Sequence, residues 1–132
     1  MSLQEFHFPA LVTLGISILQ FGVMGNVGKQ RMKHKIMPPA TTGHPEFERA
    51  FRVQANTVEA TLIFLPLMWL FACYLSPVGA GIVGSAWLVA RIWYAVGYMR
   101  EPDGRLRGFY LNLLILAVTA LGSLWGIIRS FL

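Results

Sequence analysis

Phe8-Pro9-Ala10-Leu11-Val12-Thr13-Leu14-Gly15-Ile16-Ser17-Ile18-Leu19-Gln20-Phe21-Gly22-Val23-Met24-Gly25-Asn26-Val27 is an apolar run whose only strongly polar members are Gln20 and Asn26. Gly28-Lys29-Gln30-Arg31-Met32-Lys33-His34-Lys35 follows it at once. A hydrocarbon core about 30 Å thick is crossed by about 20 apolar residues of helix, and the run meets that length. A secretory signal peptide carries its positive charge before the apolar part; here the charge comes after. The run therefore reads as a retained transmembrane helix whose C-terminal end sits at a basic face.

Three more stretches follow the same rule: about residues 45–75, 80–98 and 109–131. All four must be helices, because unpaired backbone groups cannot face lipid. A β-barrel would alternate polar and apolar residues in strands of about ten, and these runs do not alternate. Composition agrees. Of 132 residues, 55% are hydrophobic and 13% charged, whereas soluble domains carry about 25% charged residues. The length suits a single membrane domain over 1–132. The expected fold is all-α, a four-transmembrane-helix up-down bundle. The net charge of +5 does not point to nucleic acid, since the basic residues cluster between apolar runs instead of covering a polar surface. Cys73 is the single cysteine, which rules out an internal disulfide, and it reads as a small apolar filler of a helix interface.

Charge sets orientation. The first connection holds Lys29, Arg31, Lys33 and Lys35, and the third holds Arg100, Arg105 and Arg107. The second, Ser76-Pro77-Val78-Gly79, is uncharged. The positive-inside rule places connections one and three in the cytoplasm. Whether the membrane is a bacterial inner membrane or the endoplasmic reticulum stays open. The second helix starts at Pro45, with Glu46 and Glu48 in the first turn, where the helix dipole favours anions. Counted to Leu75 it would be about 46 Å long, so its first turns project into the cytoplasmic interface and Ala60 to Leu75 spans the hydrocarbon. Pro66 is a candidate kink.

Several polar residues have no place in a plain apolar bundle. Arg52, Asn56 and Glu59 lie four and three residues apart, within roughly 60° on one helix face. Arg91, Tyr94 and Tyr98 form a similar face on the third helix. Both faces lie at the cytoplasmic ends, level with Arg31, Arg105 and Arg107. Guanidinium groups with amide and phenol donors suit a small carboxylate ligand, and Glu59 offers a counter-charge for an ammonium group. Plainer roles stand beside these. Arg52 and Glu59 can form a structural pair, Tyr94 and Tyr98 an interfacial aromatic belt, and the basic clusters topology signals that touch anionic lipid. Arg91 lies well inside its span and needs a partner. Glu59 is the expected one, as a structural ion pair. No Ser/His/Asp grouping and no glycine-rich phosphate loop is present, and His7, His34 and His44 lack metal-ligand spacing. An enzyme built this way would take its nucleophile from a bound substrate.

Pro38-Pro39-Ala40-Thr41-Thr42-Gly43-His44-Pro45-Glu46-Phe47-Glu48-Arg49, followed by Arg52-Val53-Gln54-Ala55-Asn56-Thr57-Val58-Glu59, closely resembles the MAPEG family, the membrane-associated proteins of eicosanoid and glutathione metabolism. The likeness is greatest to the branch holding microsomal glutathione S-transferase of the second type and leukotriene C synthase. Ala90-Arg91, Tyr94, Gly97-Tyr98 and Arg105-Leu106-Arg107-Gly108-Phe109 fall where that branch has its second motif.

The resemblance implies a homotrimer in the membrane, with glutathione as co-substrate at the cytoplasmic end of the subunit interfaces. It implies conjugation to a lipophilic electrophile, with reduction of lipid hydroperoxides as a side activity. Arg31, Arg52, Gln54, Asn56, Glu59, Tyr94 and Tyr98 match glutathione-holding positions. Gln54 lies off the face of the other three α2 residues, as a pocket shared between subunits would require. Arg105 matches the arginine that stabilises the glutathione thiolate. More distant branches place it two residues later, at Arg107. Two departures bear on substrate. Ala60 replaces the branch's usual aromatic residue, and no tryptophan stands near Ala117 to cap a lipid tail. The first removes one ring contact to glutathione; the second implies a broad electrophile range in place of a dedicated leukotriene role. The rivals are a non-catalytic lipid-binding scaffold of the same family and a small multidrug antiporter, although the acidic residue such antiporters carry in the first helix is absent from Phe8–Val27.

Overall fold

The computed structural model describes residues 2–132. Four long helices, each apolar enough to cross a bilayer, account for most of it. They are α1 (His7–His34), α2 (Pro45–Tyr74), α3 (Pro77–Arg100) and α4 (Leu106–Ser130). Short 3-10 helices, Leu3–Phe6 and Pro102–Arg105, lead into α1 and α4. The chain is thus an integral, multi-pass membrane protein. The helices outrun the expected apolar stretches at several ends. α1 continues through its basic cluster because Arg31, Lys33 and His34 are compatible with helix and complement the negative end of its dipole. It stops at Lys35, which takes a left-handed conformation.

α2 begins at Pro45 as expected. The His44 ring caps it by accepting a hydrogen bond from the Glu46 N–H, Nδ1 to N 3.1 Å. α3 starts three residues earlier than the apolar count suggests. Ser76 caps it through the Gly79 N–H at 2.9 Å, and Pro77 fills the first helical position, where no N–H is needed. Pro66 lies within a continuous α2, and its ring is exposed.

α2 and α3 form the centre, and α1 and α4 each pack across both. The core between them holds Val12, Ile16, Phe64, Met68, Trp87 and Ile115. Phe64 and Trp87 stack with ring centroids 4.6 Å apart. Leu11, Ile18, Leu62, Ile82, Leu121 and Leu124 face outward, as lipid contact requires. Lipid is as apolar as these side chains, so burial alone does not fix how the helices register. Directional bonds do part of that work: Gln20 Nε2 donates to Thr61 Oγ1 at 2.7 Å, and Trp69 Nε1 to Thr13 Oγ1 at 3.1 Å.

Close backbone approach does the rest. A Cβ at Gly108 on α4 would lie 2.6 Å from the Tyr94 nitrogen and 2.7 Å from its Cα on α3. Backbone cannot move aside as a flexible side chain can. Gly108→Ala is therefore expected to cost about 1–3 kcal/mol, read as a melting temperature several degrees lower for the purified protein in detergent. An unchanged melting temperature would show that α3 and α4 are not held at this separation.

Candidate functional site

The polar layer sits where α2, α3 and the start of α4 meet. Arg91 is its inner anchor. Its side chain is 2% exposed, and its Nη2 donates to Asn56 Oδ1 at 2.9 Å and to Thr57 Oγ1 at 3.0 Å. Nη1 reaches Asn112 Oδ1 on α4 at 3.4 Å. The guanidinium lies over the Tyr94 ring, 4.1 Å from its centroid, and 5.9 Å from that of Trp87. The expected Arg91–Glu59 ion pair is not formed; Glu59 is exposed and makes no ion pair among the described residues. The helix explains why. At about 100° per residue, Thr57 points inward, Asn56 flanks it, and Glu59 lies a further 60° round toward the outside.

Tyr94 continues the layer outward. It is buried, and its ring meets that of Tyr98 edge-on, with centroids 5.8 Å apart. The Arg105 guanidinium lies 5.3 Å from the Tyr98 ring centre and donates to the Pro102 carbonyl within its own 3-10 turn. Arg107 takes a different side. It lines a separate cavity of about 370 Å³ with Trp93, Arg100, Glu101 and Asp103. The two arginines thus diverge at the junction between the 3-10 turn and α4. Below the layer, Asn56, Glu59 and Arg91 border a cavity of about 190 Å³ whose walls include Ala60, Ile63 and Leu113.

Of the remaining predicted residues, Gln54 and Arg31 lie elsewhere in the subunit, whereas Arg52 stands one turn before Asn56 on α2, within electrostatic reach of Tyr94. Arg52 is exposed on α2. Gln54 lines an open groove of about 440 Å³ between α1 and α2, with Gln20, Phe21 and Thr61. Arg31 holds the connection between α1 and α2: it donates to the Ala40 carbonyl at 2.8 Å and the Ile36 carbonyl at 3.4 Å, and lies 4.7 Å from the Phe47 ring centre. A second clasp closes the same connection. Lys33 Nζ and His34 Nε2 reach Glu46 Oε1 at 2.8 and 2.9 Å, and the His34 and His44 rings stack 3.6 Å apart.

Thr57 and Asn112 were not among the candidates. Asn112 was visible as an amide stranded in the apolar fourth helix, whereas Thr57 gave no signal beyond its place beside Asn56. Cys73 is exposed on α2 and not at a buried helix interface as expected. Among the described residues, no three His, Cys, Asp or Glu side chains gather as metal ligands.

The sequence profile described as the MAPEG family matches residues 9–125. An uncharacterized protein of Synechocystis is 44% identical, the match covering 97% of this chain and 93% of that protein. Microsomal glutathione S-transferase 2 of Homo sapiens is 44% identical over 80% of this chain and 72% of its own length. Leukotriene C4 synthase of Cavia porcellus is 37% identical over 91% and 83%.

Losing the Arg31 guanidinium should free the 35–44 connection. A hydrogen bond from a charged group contributes about 1.5–3 kcal/mol, so in Arg31→Ala, with no ligand added, amide exchange across this segment should speed up about tenfold or more. Hydrogen–deuterium exchange by mass spectrometry measures it; unchanged rates would assign the closure to the Glu46 clasp alone.

Proposed function

The chain belongs to the MAPEG family, and from that premise we propose a membrane-bound glutathione transferase that activates the glutathione thiol for attack on lipophilic electrophiles. Its relatives support a glutathione-related transferase activity in general. One observation carries the finer reading: Arg105, Tyr98, Tyr94 and Arg91 form a continuous run of cations and rings that ends on Asn56, beside a cavity with apolar walls. Glutathione brings carboxylates, an ammonium and a thiol. The layer offers guanidinium and amide donors for the first and Glu59 for the second.

A free thiol has a pKa of about 8.5, so little thiolate exists at neutral pH. A nearby guanidinium in a partly desolvated site favours the charged form. Arg105 takes that role, because it shares the face of Tyr98 while Arg107 faces another cavity. The thiolate sulfur forms a bond to an electrophilic carbon, and the displaced group departs with its electron pair. A lipid hydroperoxide in the same place would be reduced to the alcohol and water at the expense of two glutathiones, which end as the disulfide. Water delivers the thiol from the cytoplasmic side, and the bilayer delivers the electrophile. Ala60 leaves room where the branch usually has a ring, which favours a range of electrophiles over one long lipid.

Assembly belongs to the same proposal. Gln54 and Arg31 do not join the Arg105–Asn56 layer within one subunit. Gln54 opens instead onto the α1–α2 groove, beside polar Gln20 and Thr61. A homotrimer that sets this groove against the polar layer of a neighbour would complete the pocket. The scaffold reading loses ground because Arg105 and the donor set are intact, and the antiporter reading because α1 carries no acid within its apolar run.

In Arg105→Ala, the thiolate fraction of bound glutathione near neutral pH should fall at least tenfold or so, as loss of a neighbouring cation predicts, while glutathione affinity changes less. Arg107→Ala should leave the thiolate fraction unchanged. An ultraviolet thiolate titration checks both; the reverse pattern would move the role to Arg107.

A further inference from the structure

We propose that Arg91 is a positioning residue that fixes the amide of Asn56 so that its Nδ2 faces the ligand as a hydrogen-bond donor. The inference rests on the glutathione reading above and adds a role that the ligand-contacting set does not contain.

The orientation follows from donor counting. An arginine guanidinium has five N–H donors and no acceptor. Its partner on Asn56 must therefore be Oδ1, at 2.9 Å, which turns Nδ2 away. The other two partners are locked as acceptors by bonds of their own. The Thr57 hydroxyl gives its proton to the Val53 carbonyl at 2.7 Å, so its lone pairs face Arg91. The Asn112 Nδ2 donates to the Trp87 carbonyl at 3.2 Å, which leaves Oδ1 for Arg91. Among the described residues, Asn56 Nδ2 has no acceptor, and Asn56 borders the cavity between α2, α3 and α4.

Among the described residues no carboxylate pairs with Arg91, although Glu59 borders the same cavity. An arginine at this depth faces the bundle interior or a cavity and pairs either with an acidic group or with neutral oxygen acceptors. Arg91 makes its hydrogen bonds to neutral groups and keeps its full charge, which polarises the Asn56 amide along the chain of bonds. An amide held this way, with its donor end outward, selects an anionic group of the ligand and disfavours a cation. Without Arg91 the amide can rotate and present its oxygen, which repels the same anion.

A double-mutant cycle on glutathione binding to the purified protein tests this. Arg91→Met and Asn56→Ala should each weaken binding by about tenfold, the size of one hydrogen bond to a charged group. The double variant should be no weaker than the weaker single, because both remove the same oriented donor. In Arg91→Met the KM for glutathione should rise, while kcat at saturation changes less than about threefold. Losses that multiply in the double variant would overturn the proposal.

Asn56→Asp decides the question even if Arg91→Met fails to fold. It pairs with Arg91 and should melt at or above the temperature of the unsubstituted protein, yet it should lose glutathione binding by tenfold or more, because its ligand-facing oxygen can no longer donate. Unaltered binding by Asn56→Asp would mean that the acceptor faces the ligand, and the proposal would fall. If the unsubstituted protein does not bind glutathione, the functional reading falls first and takes this inference with it.

Discussion

Arg91 holds a full positive charge inside the bundle, and among the described residues no carboxylate pairs with it. Its side chain comes from α3, its bonds go to Asn56 and Thr57 on α2 and to Asn112 on α4, and its face lies on Tyr94. A buried guanidinium tolerates little displacement, because each lost bond leaves a charged donor bare in a low dielectric. Three helices are therefore held in one register by a single side chain. In a bilayer this matters more than in water, since apolar surface gains nothing by leaving lipid for another helix. The Gly108–Tyr94 approach works on the same pair, α3 and α4, at the same level.

The rest of the layer inherits its geometry from that anchor. Tyr94 stands directly beneath Arg91, and Tyr98 follows one turn later on the same helix, edge-on to it. Arg105 comes from the 3-10 turn that closes α3 onto α4 and sits over Tyr98. α1 is tied in separately, through Gln20 to Thr61 near the layer and through Trp69 to Thr13 nearer the far side. Its basic end is then folded against α2 by Arg31 and by the Lys33–His34–Glu46 clasp. Residues that read as a topology signal in the sequence thus also shape the connection between α1 and α2.

Helix number and order were legible because the bilayer imposes a length on apolar runs, and no tertiary context changes that length. Helix ends were not, because a helix need not stop where hydrocarbon stops: α1 runs on through residues whose charges favour its C-terminal dipole. The faces holding Arg52, Asn56 and Glu59, or Arg91, Tyr94 and Tyr98, could be drawn from spacing alone. Which edge of each face turned inward could not. A shift of one residue on α2 separates Thr57, 1% exposed, from its half-buried neighbour Asn56, and two more reach exposed Glu59. Spacing has no means to resolve that rotation, and a charge-pairing argument favours Glu59 by sign where the fold chose Thr57 and Asn56 by direction. Arg105 and Arg107 posed the same difficulty. They differ by two residues across a change of helix type, and only the three-dimensional path shows that one lies over Tyr98 while the other lines a separate cavity with Trp93.

A reaction between a water-soluble thiol and a lipid-soluble electrophile needs a place where both phases end. The proposed site has that form. Arg91 and Glu59 border its cavity beside Ala60, and the other walls include Ile63, Leu113 and Leu116, side chains suited to hydrocarbon. A cation at the water-facing end favours thiolate, and its field weakens toward the apolar end, where an uncharged electrophile is most soluble. Moving the arginine deeper would strengthen its field but leave it without hydration, and moving it outward would let salt screen it. In the proposed reading, half-buried Arg105 over Tyr98 and buried Arg91 beside the cavity divide the two demands. The outer group stays reachable by a ligand, while the inner one is spent on holding the donors in place.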